Sequence, residues 1–147
     1  MDSQQKSILD RLEAQCSKRE YCTSDVRQKA RKALEGDAAR AEEVVESLLG
    51  NGFVDDARYA GAFAREKSSL DGWGPVKIRY ALRMKGIAAA AIEGALEGVD
   101  IDKAEARLAK LIEAKRKSLE GDPQIRLKLI KFALSRGYEY DTVERYI

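Results

Sequence analysis

The stretch SSLDGWGPVKIRYALRMKGI, residues 68–87, contains a turn, a helix and the end of that helix. Asp71-Gly72 is a turn dipeptide, and Pro75 suits the first helical position, where its missing N–H would have no partner. Gly86 then ends a helix predicted over 75–85, with its buried stripe at Ile78, Ala81 and Leu82. The turn lacks the G-x-x-x-x-G-K-[ST] pattern and follows a helix, so we interpret it as a joint between helices rather than a phosphate-binding loop.

The same helix end occurs three times along the chain. Gly36, Gly86 and Gly137 each follow a basic amphipathic segment, at spacings of 50 and 51 residues. Each glycine is followed by another helix, and each group begins with a longer one. A period of this length is typical of repeat arrays, in which one unit cannot bury its apolar face alone. The sequence therefore predicts an all-α fold of three tandem three-helix repeats in an elongated, curved array, with a single helical bundle as the alternative.

Apolar spacing and capping residues predict nine helices, which span 3–17, 24–35, 37–49, 55–69, 75–85, 88–97, 102–119, 123–136 and 141–147. Their predicted N-caps are Thr23, Asp37, Asp55, Asp102, Asp122 and Asp141. The corresponding repeats are residues 1–54, 55–100 and 101–147.

The composition argues against catalysis. The 147 residues include no histidine, which removes Ser-His-Asp and Cys-His nucleophile systems and every histidine-containing metal site. Cys16 and Cys22 have no further ligands nearby to make a zinc site, and we expect both to be reduced, packed thiols. No D-x-D-x-D-G calcium loop occurs. We expect no enzymatic activity, no metal and no cofactor.

The sequence also predicts where the protein works. No apolar run approaches the roughly 20 residues that a membrane-spanning helix needs. The first residues, MDSQQKSILDRLEAQ, lack the basic-then-apolar pattern of a secretory signal. We therefore expect a cytoplasmic monomer without membrane contact.

Charge is sorted by helix, although the net charge is only +2. The second helices carry +2, +4 and +4 over 24–35, 75–85 and 123–136, whereas the third helices carry −3, −2 and −2. With a common orientation, basic residues would line one edge and acidic residues another. A basic edge attracts phosphates or an acidic protein surface, whereas ordinary solvated helix faces are the alternative explanation. The candidate binding residues are Arg27, Arg31, Lys77, Arg79, Arg83, Lys85, Lys115, Arg116, Lys117, Arg126, Lys128 and Lys131.

Two details of this pattern are open to test. Arg79 and Arg83 lie four residues apart and share a helix face; we expect Arg27 and Arg31, and Lys128 and Lys131, at matched positions. Trp73 either plugs the junction between helices or stacks on a nucleic-acid base, and we favour the plug.

Four segments resemble the regulatory protein RecX family. They are CSKREYCTSDVRQKA (16–30), GFVDDARYAGAFAREK (52–67), GWGPVKIRYALRMKGI (72–87) and KLIKFALSRGYEYDTVERYI (128–147). They follow in the family's order and spacing over nearly the whole chain. The first repeat departs from the pattern, with Lys32 in place of a leucine four residues before its glycine, so its second helix is expected to pack differently. The third repeat has Ala133 at that position.

The resemblance implies a fold of tandem three-helix repeats, in agreement with the period. It also implies a non-catalytic regulator that binds the RecA recombinase, particularly its filament on single-stranded DNA, and that inhibits filament growth, ATP hydrolysis and strand exchange. Single-stranded DNA is a second expected partner. Two alternatives stay open: a stand-alone nucleic-acid-binding helical module, and a helical scaffold for a protein unrelated to recombination.

Overall fold

The computed structural model describes all residues 1–147 and contains helices but no strands. The nine helices are α1 (Ser3–Lys18), α2 (Thr23–Ala33), α3 (Ala38–Gly50), α4 (Asp56–Ser69), α5 (Pro75–Met84), α6 (Ala89–Glu97), α7 (Ile101–Ser118), α8 (Ile125–Ser135) and α9 (Tyr140–Glu144). All nine predicted helices are present. The all-α class and the three three-helix repeats, α1–α3, α4–α6 and α7–α9, are confirmed.

Two of the six predicted N-caps are confirmed. The Asp37 and Asp55 side chains each accept a hydrogen bond from the backbone N–H three residues later. The other four predictions are wrong by one or two residues, and the observed caps are Cys22, Asp100, Gln124 and Glu139. At α7 the Asp100 carboxylate accepts the Lys103 N–H, so Asp102 lies in the first turn, where the helix dipole also favours a negative charge.

Each repeat buries a hydrophobic core of its own. The first core contains Leu12, Val26, Ala30, Val44 and Leu48 among its members. The second is built around Tyr59, Ala64, Ile78, Leu82 and Ile92, and the third around Leu108, Ile112, Leu129, Ala133 and Val143. Cys22 is the exception, because it belongs to the first repeat in sequence and to the second core in space. The repeat boundaries at 54/55 and 100/101 stay a prediction.

The surface area indicates an extended molecule. A compact monomer of this mass, 16.4 kDa, would expose about 7500 Å², whereas this chain exposes 8800 Å². Extensive helix-against-helix packing occurs only within repeats. The array is therefore elongated, as predicted, and its curvature stays a prediction. None of the nine helices combines the length and the hydropathy that crossing a bilayer requires.

The first and second repeats meet where the N-terminus of α2 reaches the C-terminal end of α5. The Ser24 hydroxyl donates a hydrogen bond of 2.8 Å to the Lys85 carbonyl oxygen, and Lys85 Nζ lies 2.8 Å from Asp25 Oδ1. Asp56, the first residue of α4, also contacts the N-terminus of α2. Its carboxylate accepts a hydrogen bond from the Thr23 N–H. This joint therefore depends on charged side chains.

The second and third repeats meet at the equivalent ends, the N-terminus of α5 and the C-terminal end of α8. Here backbone contacts backbone: the Gly74 N–H donates to the Arg136 carbonyl at 2.7 Å, and the Val76 N–H donates to the Gly137 carbonyl at 2.8 Å. Arg107 of α7 adds hydrogen bonds to the carbonyls of Ser69 and Leu70. This joint depends on backbone geometry rather than on an ion pair.

Both cysteines are free and buried, as expected from the sequence. Burial raises the pKa of the Cys16 thiol and of the Cys22 thiol. A raised pKa reduces the thiolate fraction at neutral pH, so packing explains both residues.

We expect the protein to lose stability as the pH falls below about 4, because the unfolded Asp25 takes up its proton near that value. Burial opposes its ionisation, but hydrogen bonds from Lys85 and Cys22 outweigh burial and lower the pKa of Asp25 in the folded protein. Between the two pKa values the unfolded chain binds more protons, so acid favours unfolding. The carboxyls that contribute in the same direction are Asp2, Glu42, Glu93 and Asp122.

The substitution Asp25→Asn removes the contribution of Asp25 to the pH dependence of the free energy of unfolding. The contributions of the other carboxyls remain. The measurement is urea unfolding between pH 2.5 and 7, compared with Asp10→Asn at an exposed position without an ion pair. An unfolding curve of Asp25→Asn with the same pH dependence as the wild type would contradict the joint described above.

Candidate binding surface on the second helices

The three basic helices α2, α5 and α8 follow one another through the two joints. The N-terminus of α2 contacts the C-terminal end of α5, and the N-terminus of α5 contacts the C-terminal end of α8. The candidate residues on these helices therefore follow one another along one row of the array.

The buried residues establish which positions match between repeats. Ile78 and Leu82 of α5 occupy the places of Val26 and Ala30 in α2, and of Leu129 and Ala133 in α8. In the first repeat this register leaves extra residues before the glycine: Leu34 is the buried C-cap, and Glu35 and Gly36 follow with positive φ angles of 54° and 86°. The second helix of the first repeat therefore packs differently, as expected.

The register confirms one basic match and corrects another. Arg27 and Arg31 match Arg79 and Arg83, since each pair directly follows the two buried positions. In the third repeat the matching positions are Ile130 and Leu134. The expectation that Lys128 and Lys131 continue the pair is therefore wrong. The two lysines are three residues apart rather than four, and the offset of 51 residues that relates Gly86 to Gly137 leads from Arg79 and Arg83 to apolar residues.

Five of the twelve candidate residues form ion pairs in the structure. Arg27 of α2 pairs with Glu42 of α3 at 2.8 Å, and Arg79 of α5 pairs with Glu93 of α6 at 2.9 Å. The remaining three pairs are Lys85–Asp25, Arg116–Glu113 and Lys128–Asp122. The basic and acidic edges of the first two repeats thus adjoin and partly neutralise each other.

These pairs shift the pKa values of both partners. The hydrogen bond with Glu42 raises the pKa of Arg27 and lowers that of Glu42, and the hydrogen bond with Glu93 raises the pKa of Arg79. A bound partner would have to compete with these carboxylates. Paired cations therefore contribute less to binding than cations of equal exposure without a partner.

Seven candidate residues make no ion pair: Arg31, Lys77, Arg83, Lys115, Lys117, Arg126 and Lys131. Arg31 and Arg83 are exposed at matched positions of α2 and α5. The ammonium group of Lys115 lies 5.5 Å from the ring centre of Phe132. These side chains are the cations of the candidate surface that make no ion pair, although Arg31 and Arg83 lie close enough to Glu42 and Glu93 to help lower the pKa of those carboxyls.

Trp73 fills the junction between helices, as predicted. Its ring meets Phe63 edge-on at 6.1 Å, beside the second core. The ammonium groups of Lys67 and Lys77 lie 4.9 Å and 4.4 Å from its ring centre. With these neighbours the ring is engaged within the protein, which leaves little of it for a nucleic-acid base.

The outer surface of α5 carries an apolar stripe that is not among the residues predicted from the sequence. Val76, Tyr80 and Met84 are 42%, 62% and 69% exposed and recur every fourth residue. The sequence contains this four-residue spacing, but the charged residues and the buried stripe of α5 are stronger signals in the same segment.

The three three-helix repeats define a helical repeat protein, and its second helices are basic. Residues 55–96 match the model of a protein family described as RecX, second three-helix domain. The regulatory protein RecX of Haemophilus ducreyi is 32% identical over 122 residues, which cover 83% of this chain and 78% of that protein. The chain belongs to the RecX family.

Other comparisons agree. The regulatory protein RecX of Clostridium tetani is 35% identical over 70% of this chain, which spans about half of that longer protein (49%). A crystal structure described as regulatory protein RecX superposes with a TM-score of 0.85 at 24% identity, over 96% of this chain and 70% of that one. At this identity the superposition supports the fold.

Proposed function

We propose that this chain binds the RecA recombinase and its filament on single-stranded DNA, and that it inhibits filament growth, ATP hydrolysis and strand exchange. It does so in the bacterial cytoplasm during DNA recombination, repair and the SOS response. It acts through a surface and catalyses no reaction. The relatives that carry the name regulatory protein RecX support this role, and so does the row of basic second helices.

The observation that carries the proposal is the end-to-end order of α2, α5 and α8. A filament on DNA exposes phosphates and acidic side chains in a repeating arrangement. A row of cations on successive helices meets several of them at once, and weak contacts then add. Arg31, Arg83 and Lys131 are exposed and make no ion pair, so we expect them to contribute most to binding.

The test is RecA ATP hydrolysis on single-stranded DNA, titrated with this protein well below one copy per recombinase monomer. We expect a strong fall at such ratios, because a bound regulator that blocks growth affects many subunits. Unchanged hydrolysis near a one-to-one ratio would overturn the proposal.

A stand-alone nucleic-acid-binding module is the second candidate, because seven cations lack an ion-pair partner. Such a module binds single-stranded DNA tightly without RecA, with an affinity that falls steeply as salt rises. Fluorescence anisotropy with a labelled oligonucleotide at several salt concentrations separates the two functions.

A further inference from the structure

Helix α5 is apolar on two opposite faces. Ile78 and Leu82 are 1% and 0% exposed and fill the second core. At 3.6 residues per turn, the axis of the stripe Val76–Tyr80–Met84 lies about 180° around the helix from this buried pair. A helix with two apolar faces is typical of one packed between two partners. Here the second face has no partner within the chain.

The repeat architecture does not require this second apolar face. The positions in α2 that match Val76, Tyr80 and Met84 are Ser24, Gln28 and Lys32. In α8 the matching residues are Leu127, Lys131 and Ser135. Five of these six matching side chains are polar and only Leu127 is apolar, so the same place in the fold accepts polar side chains in the other repeats. Packing within the chain therefore does not explain the three apolar residues of α5.

Two cations border the stripe. Lys77 and Arg83 lie about 60° to either side of its axis, and neither makes an ion pair. The surface is therefore an apolar centre between two positive charges, and it is complementary to an apolar centre with an acidic rim. Interfaces between proteins commonly have this pattern, with Tyr and Met enriched at the centre and polar residues around it.

We propose that the stripe Val76–Tyr80–Met84, bordered by Lys77 and Arg83, docks an apolar protein surface with an acidic rim. The inference rests on the proposed function, in which that surface belongs to a RecA subunit of the filament. Nucleic acid fits less well, because the aliphatic side chains of Val76 and Met84 offer no ring to stack on bases.

The adjoining groove extends this docking surface. Ser24 and Gln28 of α2 and Tyr80, Met84 and Lys85 of α5 line a groove of about 680 Å³ at the first joint. A stable interface buries on the order of 800 Å² per partner, which is more than three side chains supply. The partner therefore contacts both helices, and the first two repeats bind it together.

The test replaces the stripe with polar residues, in the variant Val76→Ser, Tyr80→Gln and Met84→Gln. Two of these residues occur at the matching positions of α2, so we expect the fold to be retained, as checked by circular dichroism. Binding of the N-terminally labelled protein is measured on RecA filaments assembled on poly-dT, and separately on poly-dT alone. We expect the variant to bind the filament on the order of 30-fold more weakly, the size of one interface hot spot, and free poly-dT unchanged.

The matched control is Leu49→Gln, Leu70→Gln and Ile101→Gln, which removes three exposed apolar side chains outside the second helices and should bind the filament like the wild type. Wild-type affinity of the stripe variant would overturn the docking surface and leave the proposed function standing. An equal loss on free poly-dT would identify nucleic acid as the occupant and overturn the protein partner. Failure of the wild-type protein to bind the filament would overturn the proposed function, and this inference with it.

Discussion

The substitution Gly137→Ala is expected to destabilise the protein by about 3 kcal/mol or more and to separate the third repeat from the second. Gly137 has a φ of +93°, which disfavours any residue with a Cβ atom. A Cβ there would also lie 2.8 Å from the backbone nitrogen of Lys77, inside van der Waals contact. Relieving this contact requires the two backbones to move apart, which weakens the hydrogen bond from the Val76 N–H to the Gly137 carbonyl.

Gly86→Ala is the matched control for this prediction. Gly86 ends α5 with a φ of +75°, and a Cβ there meets nothing within 4 Å. The Gly86→Ala substitution should lower the free energy of unfolding by only about 1 kcal/mol, which is the strain of the left-handed conformation. Urea unfolding and small-angle X-ray scattering measure stability and extension. Equal losses in the two variants would show that close backbone approach does not hold the second joint.

Reversing three unpaired cations, Arg31→Glu, Arg83→Glu and Lys131→Glu, should weaken binding to the RecA filament on the order of 100-fold near 0.1 M salt. All three are exposed and make no ion pair, so helix content and melting should change little. The affinity of the variant should also depend less on salt, because fewer counterions are released on binding. The measurement is filament binding at several salt concentrations, with ATP hydrolysis as the functional readout.

The control makes the same change in net charge elsewhere, with Lys6→Glu, Lys18→Glu and Lys110→Glu on α1 and α7. It separates a located surface from general attraction to a negatively charged filament. Equal weakening in the two triple variants would remove the second helices from the proposed surface.

Most of the fold is predictable from the sequence, because the signals are local. Gly36, Gly86 and Gly137 mark helix ends with a regular period, and all nine helices follow from apolar spacing. The errors arise where two local signals compete. At α7, Asp100 and Asp102 are both acceptable N-caps from the sequence. In the structure the helix begins after Asp100, whose carboxylate accepts the Lys103 N–H.

The candidate surface is less predictable, because it depends on contacts between distant residues. The sequence identifies Arg27 and Arg79 as basic, but their pairing with Glu42 and Glu93 requires the packing of neighbouring helices. The contacts at the two joints between repeats could not be predicted from the sequence either. Nothing in the local pattern around Asp25 indicates that its partner is Lys85, which lies 60 residues away in the sequence.

The three separate cores bear on how the chain folds. Each forms almost entirely within about 50 consecutive residues, so few contacts must wait for the closure of long loops. Such low contact order favours rapid folding. During synthesis the first repeat can bury Val44 and Leu48 before the third has been translated. Because the repeats join only at helix ends and loops, unfolding should proceed repeat by repeat, with the order set by the strength of the two joints.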